Sequence, residues 1–163
     1  MIIKLDFAKA FDTVNWTGLL TVLKARGFNQ TWQQWILQLL CTSKNAVLLN
    51  GVPGPWFTCK RGLRQGDPLS PLLFILCVDP LHRLLEAATR TDVLNTILGT
   101  AARMRTSLYA DDAVIFINPV RQEIDSLLEL LQQFGDATGL RVNLSKSSAV
   151  PIRCDDIDIG VVL

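Results

Sequence analysis

Leu108-Tyr109-Ala110-Asp111-Asp112-Ala113-Val114-Ile115-Phe116-Ile117 sets an acidic pair inside an apolar run. The flanking residues favour strands and aspartate favours turns, so the stretch predicts a β-hairpin with its carboxylates at the tip. Adjacent carboxylates raise each other's pKa, and a low-dielectric setting increases the repulsion. Taken alone, the pair admits two readings: a polar turn, or a place where a divalent cation offsets the charge.

Outward from the hairpin, the chain alternates between strand and helix patterns. Arg103 to Tyr109 and Ala113 to Ile117 supply the hairpin strands, after a loop near Gly99. Asn118-Pro119 opens an amphipathic helix with Val120, Ile124, Leu127, Leu131 and Phe134 on its buried face and Gly139 as its stop. Val142 to Ile152 then reads as extended, with a turn around Ser145-Lys146-Ser147. On the N-terminal side, Ser70 is the expected cap of a helix with Pro71 in its first turn, running to about Ala88 and kinked at Pro80. Ala46–Leu49 and Trp56–Cys59 flank Asn50 to Pro55 as a hairpin with a long loop. Ile2 to Phe7 forms a short strand, followed by a helix capped at Asp12-Thr13, carrying Leu19, Leu20 and Leu23 and ended by Gly27. A further helix starts at about Thr31, with Trp32, Trp35, Ile36, Leu39 and Leu40 at helical spacing and expected in the core. This order predicts an α+β fold, an antiparallel sheet with helices packed on one face.

At 163 residues, 49% hydrophobic and with a net charge of +1, the chain suits one compact domain and excludes a disordered tail or a generic polybasic binder. Its basic residues cluster at Lys60, Arg61 and Arg64 and again at Arg103 and Arg105, as solvated faces or as phosphate contacts. Cys41, Cys59, Cys77 and Cys154 are scattered and, with the lone His82, make no zinc pattern. Reduced thiols are expected. The longest apolar run, Leu72 to Val78, is too short for a bilayer, and the first residues lack the pattern of a signal peptide. The expectation is an intracellular chain, cytoplasmic or nuclear, not secreted and without a transmembrane segment.

A third carboxylate, Asp6, ends the first strand. If that strand lies beside the hairpin, Asp6, Asp111 and Asp112 converge on one edge of the sheet. Such a set suits two hard divalent cations with oxygen ligands. Two ions roughly 4 Å apart activate an attacking hydroxyl and stabilise a departing phosphate oxygen.

Four segments resemble, in order and spacing, the core motifs of a reverse transcriptase. They are Leu5-Asp6-Phe7-Ala8-Lys9-Ala10-Phe11-Asp12, Gly62-Leu63-Arg64-Gln65-Gly66-Asp67-Pro68-Leu69-Ser70-Pro71, Tyr109-Ala110-Asp111-Asp112 and Gly139-Leu140-Arg141-Val142-Asn143-Leu144-Ser145-Lys146-Ser147. The wording is nearest to non-LTR retrotransposons, in particular the LINE-type elements of plants. The resemblance implies a reverse-transcriptase palm over residues 1–152, with 153–163 as an irregular acidic and apolar tail. It implies Asp6 and Asp111 as main metal ligands, with Asp112 beside them and the Phe7 backbone carbonyl in addition. The metal implied is a pair of Mg²⁺ ions, with Mn²⁺ as a substitute. Phe11 would screen the sugar 2′-hydroxyl, Gln65 and Gly66 would lie against nucleotide and template, Lys146 near the leaving pyrophosphate and Tyr109 beside the primer terminus. Phe11 and Tyr109 also read as packing residues, and Lys146 as a solvated turn lysine.

The implied reaction is two-metal nucleotidyl transfer from dNTPs to a DNA primer on an RNA template. In that family, basic fingers precede the first motif and a duplex-holding thumb follows the last. Neither pattern is read here, so the expectation is a palm fragment with little or no polymerase activity alone. The alternatives are a non-catalytic retrotransposon remnant and a repurposed RNA- or protein-binding module. An unrelated two-metal phosphohydrolase would leave the Phe11 and Gln65-Gly66 segments unexplained.

Overall fold

β1 (Ile2–Asp6) is an inner strand of a four-stranded sheet. The computed structural model describes residues 1–97, 105–109 and 112–152; Gly99, Arg103, Asp111, Cys154 and the expected 153–163 tail lie outside the described residues. On one side β1 pairs antiparallel with β7 (Asp112–Phe116), and on the other with β8 (Ser148–Val150). β6 (Thr106–Tyr109) adds to the far side of β7, giving the order β6-β7-β1-β8. Strand residues alternate between faces. Leu5, Ala113 and Ile115 are buried on one face, whereas Lys4, Asp6, Asp112 and Val114 are half-buried or exposed on the other.

The buried face is covered by helices. α4 (Ser70–Arg90) brings Leu73, Phe74, Cys77, Val78, Leu81 and Leu85 into one core with the sheet, and α5 (Arg121–Thr138) brings Ile124, Leu127, Leu131 and Phe134. α2 (Trp16–Ala25) packs against α4, α5 and α3 (Gln30–Cys41), and the one-turn α1 (Ala10–Thr13) joins β1 to this layer. The predicted α+β sandwich is therefore the observed one.

Several boundaries differ from the expectation, each for a local reason. Asp12-Thr13 does not cap the first long helix; the chain breaks at Val14, and the Asn15 side chain accepts from the amides of Thr17 and Gly18. Ser70 is the first residue of α4 rather than its cap, because Asp67 turns the chain first by accepting from the Leu69 amide at 2.8 Å. Pro80 lies inside α4, which runs on to Arg90. The long-loop hairpin is instead closed tightly: β3 (Leu48–Leu49) pairs with β4 (Val52–Pro53) inside the pair β2 (Lys44–Asn45) and β5 (Phe57–Thr58). Asn50 (φ 50°) and Gly51 (φ 82°) form its tip, the positive angles that a two-residue primed turn requires. Trp35 and Leu39 on α3 and Val120 before α5 are exposed, not core.

Arg105 is not on a solvated basic face. It is 5% exposed, its Nε donates to Thr89 Oγ1 at 2.6 Å, and it pairs with Glu123, itself 3% exposed. Burial lowers the guanidinium pKa, and the facing Glu123 carboxylate raises it. Glu123 Oε1 also accepts from Asn95 Nδ2 and Asn118 Nδ2, each at 2.9 Å. The network links the start of β6, the last turns of α4 and the first turn of α5. Removing one partner of a buried ion pair leaves an uncompensated charge and costs about 3–5 kcal/mol. Glu123→Ala is expected to lower unfolding free energy in urea by that amount. Asp125→Ala, which removes only the exposed pair with Arg121, is expected to cost under about 0.5 kcal/mol.

Cys77 faces the core, and burial pushes its thiol up from 9.0 to about 12. The unfolded chain therefore loses this proton first. Stability from Cys77 is complete below the ordinary thiol value and is lost as pH rises from 9.0 toward about 12. With iodoacetamide, exposed Cys41 is expected to alkylate in the folded chain, while buried Cys77 reacts only after unfolding; peptide mass mapping reads both.

Candidate active site

The register of β1 on β7 places Asp6 directly opposite Asp112, and β6 sets Tyr109 opposite Asp112 on the far side. Directly opposed residues share a face. Asp6, Asp112 and Tyr109 thus form a row across three strands on the face that the helices leave open, with Tyr109 84% exposed. Lys4, two residues before Asp6 and so on the same face, reaches Asp112 Oδ2 with its ammonium at 3.2 Å.

Beside Asp6 lies a cleft of about 480 Å³ lined by Phe7, Phe11, Gln65, Asn143 and Lys146, together with Ala8, Lys9 and Ala10. Segments from three of the four motifs therefore meet there. Gly66 follows Gln65 outside that lining, at φ +89°.

Backbone bonds hold these segments together. Asn143 donates its amide to the Asp6 carbonyl at 2.8 Å, and the Asp6 amide donates to Ser147 Oγ at 3.2 Å. The turn that carries Lys146 is thereby pinned at both ends to the backbone of Asp6. Ala8 donates to the Arg141 carbonyl at 2.9 Å around the Phe7–Val142 bridge. Strand alternation turns the Phe7 carbonyl the other way, toward β7. On the far side of the cleft, Leu63 donates to the Phe11 carbonyl at 2.6 Å and Gly62 to the Val14 carbonyl at 2.8 Å. The Trp16 indole N–H closes this contact on the Gly62 carbonyl at 2.7 Å. Gly62 sits at φ +88°, and a Cβ there would meet the Asp12 carbonyl oxygen at 2.7 Å, so only glycine allows the approach.

Asp6 and Asp112 offer hard oxygen donors on one face, with the Phe7 carbonyl directed to the same strand pair, and this chemistry fits a divalent cation such as Mg²⁺. Among the described residues no group of three or more His, Cys, Asp or Glu is placed to hold a metal; the third predicted carboxylate is Asp111. Lys4, Asn143 and Ser147 were not among the predicted site residues. Lys4 was legible from its two-residue spacing to Asp6. Asn143 and Ser147 stand within the fourth motif, but they act by bonding the Asp6 backbone, through the Asn143 amide and the Ser147 hydroxyl, contacts that the motif does not spell out.

A second cleft, of about 700 Å³, adjoins the first at Gln65 and is lined by Arg61, Arg64, Phe57, Asn45 and Trp16 among others. Arg64 Nε donates to Ser43 Oγ at 2.7 Å.

The family model described as reverse transcriptase (RNA-dependent DNA polymerase) matches residues 1–154. The retrovirus-related Pol polyprotein from the type-2 retrotransposable element R2DM of Drosophila melanogaster is 32% identical over 152 residues, 93% of this chain and 14% of that protein. The transposon TX1 uncharacterized 149 kDa protein of Xenopus laevis is 28% identical over 148 residues, 91% of this chain and 11% of that one. The chain thus spans only a small part of the curated relatives it matches. Among solved structures, apo telomerase from Candida tropicalis, truncated from its C-terminal domain, has a TM-score of 0.67 at 16% identity. That likeness of fold covers 93% of this chain and 30% of the telomerase chain.

The Lys4 ammonium, paired with Asp112, would compete with any cation drawn to that carboxylate. In Mn²⁺ titrations followed by electron paramagnetic resonance, Asp6→Asn is expected to weaken binding at least about tenfold, the scale of one lost charge contact. Lys4→Met is expected to strengthen it about threefold. Equal affinities in all three chains would show that neither Asp6 nor the Lys4–Asp112 pair takes part in cation binding.

Proposed function

The chain belongs to the reverse transcriptase (RNA-dependent DNA polymerase) family, and on that premise we propose that residues 1–152 form the palm of an enzyme that extends a DNA primer on an RNA template with dNTPs. The observation that carries this reading is Asp6, in register with Asp112, at the rim of a cleft that also gathers Phe7, Phe11, Gln65 and Lys146. Asp6, Asp112, the Phe7 carbonyl and, by its place in the motif, Asp111 would hold Mg²⁺ or Mn²⁺. Bound there, the ions would supply charge stabilisation for phosphoryl transfer and a more acidic attacking hydroxyl.

The remaining residues have separate tasks in this reading. Phe11 occupies the cleft wall where its ring excludes a 2′-hydroxyl. Gln65, at the junction of the two clefts, contacts the incoming nucleotide and the template. Lys146, held against Asp6 by its turn, keeps an ammonium proton for the departing pyrophosphate. The open sheet face receives the primer terminus beside Tyr109. Among the described residues no helix is long and apolar enough to cross a membrane.

A second reading, a palm used only to hold RNA, is favoured by the wider cleft, where Arg61, Arg64 and Phe57 combine cationic and aromatic side chains. Primer extension on an RNA template separates the two. We expect slow, Mg²⁺-dependent incorporation of dNTPs that Asp6→Asn lowers about a thousandfold, the scale for removing a group that stabilises transition-state charge. Retention of RNA without incorporation, unaffected by Asp6→Asn, would instead establish the binding module.

A further inference from the structure

The Phe11 ring stacks on the ring of Phe74, with centroids 4.7 Å apart and planes 14° from parallel. Phe74 lies one turn into α4 and is 2% exposed. Phe11, half-buried, lines the cleft beside Asp6, and its ring is backed by Phe74. Its backbone is fixed separately, by the bond from Leu63 to its carbonyl. Leu63 precedes Gln65, and Asp67 ties the same loop to the start of α4 through the Leu69 amide. Ring and backbone of Phe11 are therefore both held by the segment that carries Gln65.

We propose that Phe74 is a positioning residue for sugar discrimination: its ring fixes the plane of Phe11, so that Phe11 cannot retreat from a ribose 2′-hydroxyl. The inference rests on the polymerase reading above and names what sets its choice of deoxyribose over ribose. Exclusion by bulk works only when the excluding group is held, because a phenyl ring with room behind it moves between rotamers at small cost. Specificity is a difference between two affinities, and a yielding wall lowers the barrier for the wrong sugar alone. A flat aromatic backing in an offset stack supplies that rigidity. Shortening Phe74 opens space behind Phe11 without touching the cleft itself.

The test uses the full chain with 4-fluorophenylalanine at position 11, read by ¹⁹F NMR, and with dATP and ATP affinities measured in Mn²⁺. Phe74→Leu is expected to shift and broaden the Phe11 resonance. It is also expected to lower the dATP-over-ATP affinity ratio about tenfold, the lower end for a methylene-scale change in a pocket. Phe74→Tyr, which keeps the ring, restores both. Leu85→Ala, at a fully buried position farther along α4, lowers thermal stability and leaves both unchanged. Phe74→Met stands in should Phe74→Leu fail to fold. An unmoved resonance in Phe74→Leu, or an equal shift in Leu85→Ala, would overturn the positioning role. A moved resonance with an unchanged ratio would overturn the role in discrimination. If the unsubstituted chain binds dATP and ATP alike, or neither, the polymerase reading itself fails, while the fluorine signal still reports whether Phe74 holds Phe11.

Discussion

The pairing of β1 with β7 is the constraint on which the rest of the molecule depends. Because strand side chains alternate, a slip of one residue would carry Asp6 toward the core and Leu5 to water. Leu5, Ala113 and Ile115 are each almost fully buried, and burying an unpaired carboxylate in their place would cost far more than the strand gains. The register is thus set by the apolar face under the helices. The meeting of Asp6 with Asp112 follows from it and needs no attraction between two groups of like charge. A site assembled this way is stabilised by its core, and the carboxylates are not what sets the strand register.

That register positions only one row of groups. Depth comes from the backbone contacts that join the turn at Asn143–Ser147 to Asp6, and the Gly62–Leu63 segment to Phe11 and Val14. Apart from the Ser147 hydroxyl, both sets use main-chain donors and acceptors, which vary less with side-chain identity than a salt bridge would. They convert motifs far apart in the chain into neighbouring walls of one cleft. The Trp16 indole and the absence of a Cβ at Gly62 serve this second level of construction, well away from any reacting atom.

Periodicity made β1, β7, α4 and α5 legible, because each presents one apolar face with a regular repeat. The motifs made Asp6, Phe11, Gln65 and Lys146 legible as residues, and the cleft brings these four together. Legibility failed where a local signal was outranked by its neighbour. Asp12-Thr13 has cap chemistry, but the chain must turn again at Val14 to meet Gly62, so Asn15 takes the cap. Asn50-Gly51 carries a tight-turn signal that the following Pro53 and Pro55 obscure. Failure was complete where burial comes only from tertiary packing. Arg105 looks like part of a basic face until α5 brings Glu123 against it, and no spacing rule ties Phe11 to Phe74.

Lys4 shows how the open face stays tolerable before any cation arrives. Asp6 and Asp112 stand opposite each other, where like charges destabilise a strand pair. The Lys4 ammonium is diagonal to Asp112 on the same face and closes to 3.2 Å, with both side chains about half exposed. At that exposure the pair contributes under about 1 kcal/mol, enough to offset a cross-strand repulsion of similar size. A divalent ion bound there, as proposed, would carry twice the charge and would displace so weak a partner readily. The lysine therefore balances the site without closing it, which a buried ion pair such as Arg105–Glu123 would not allow.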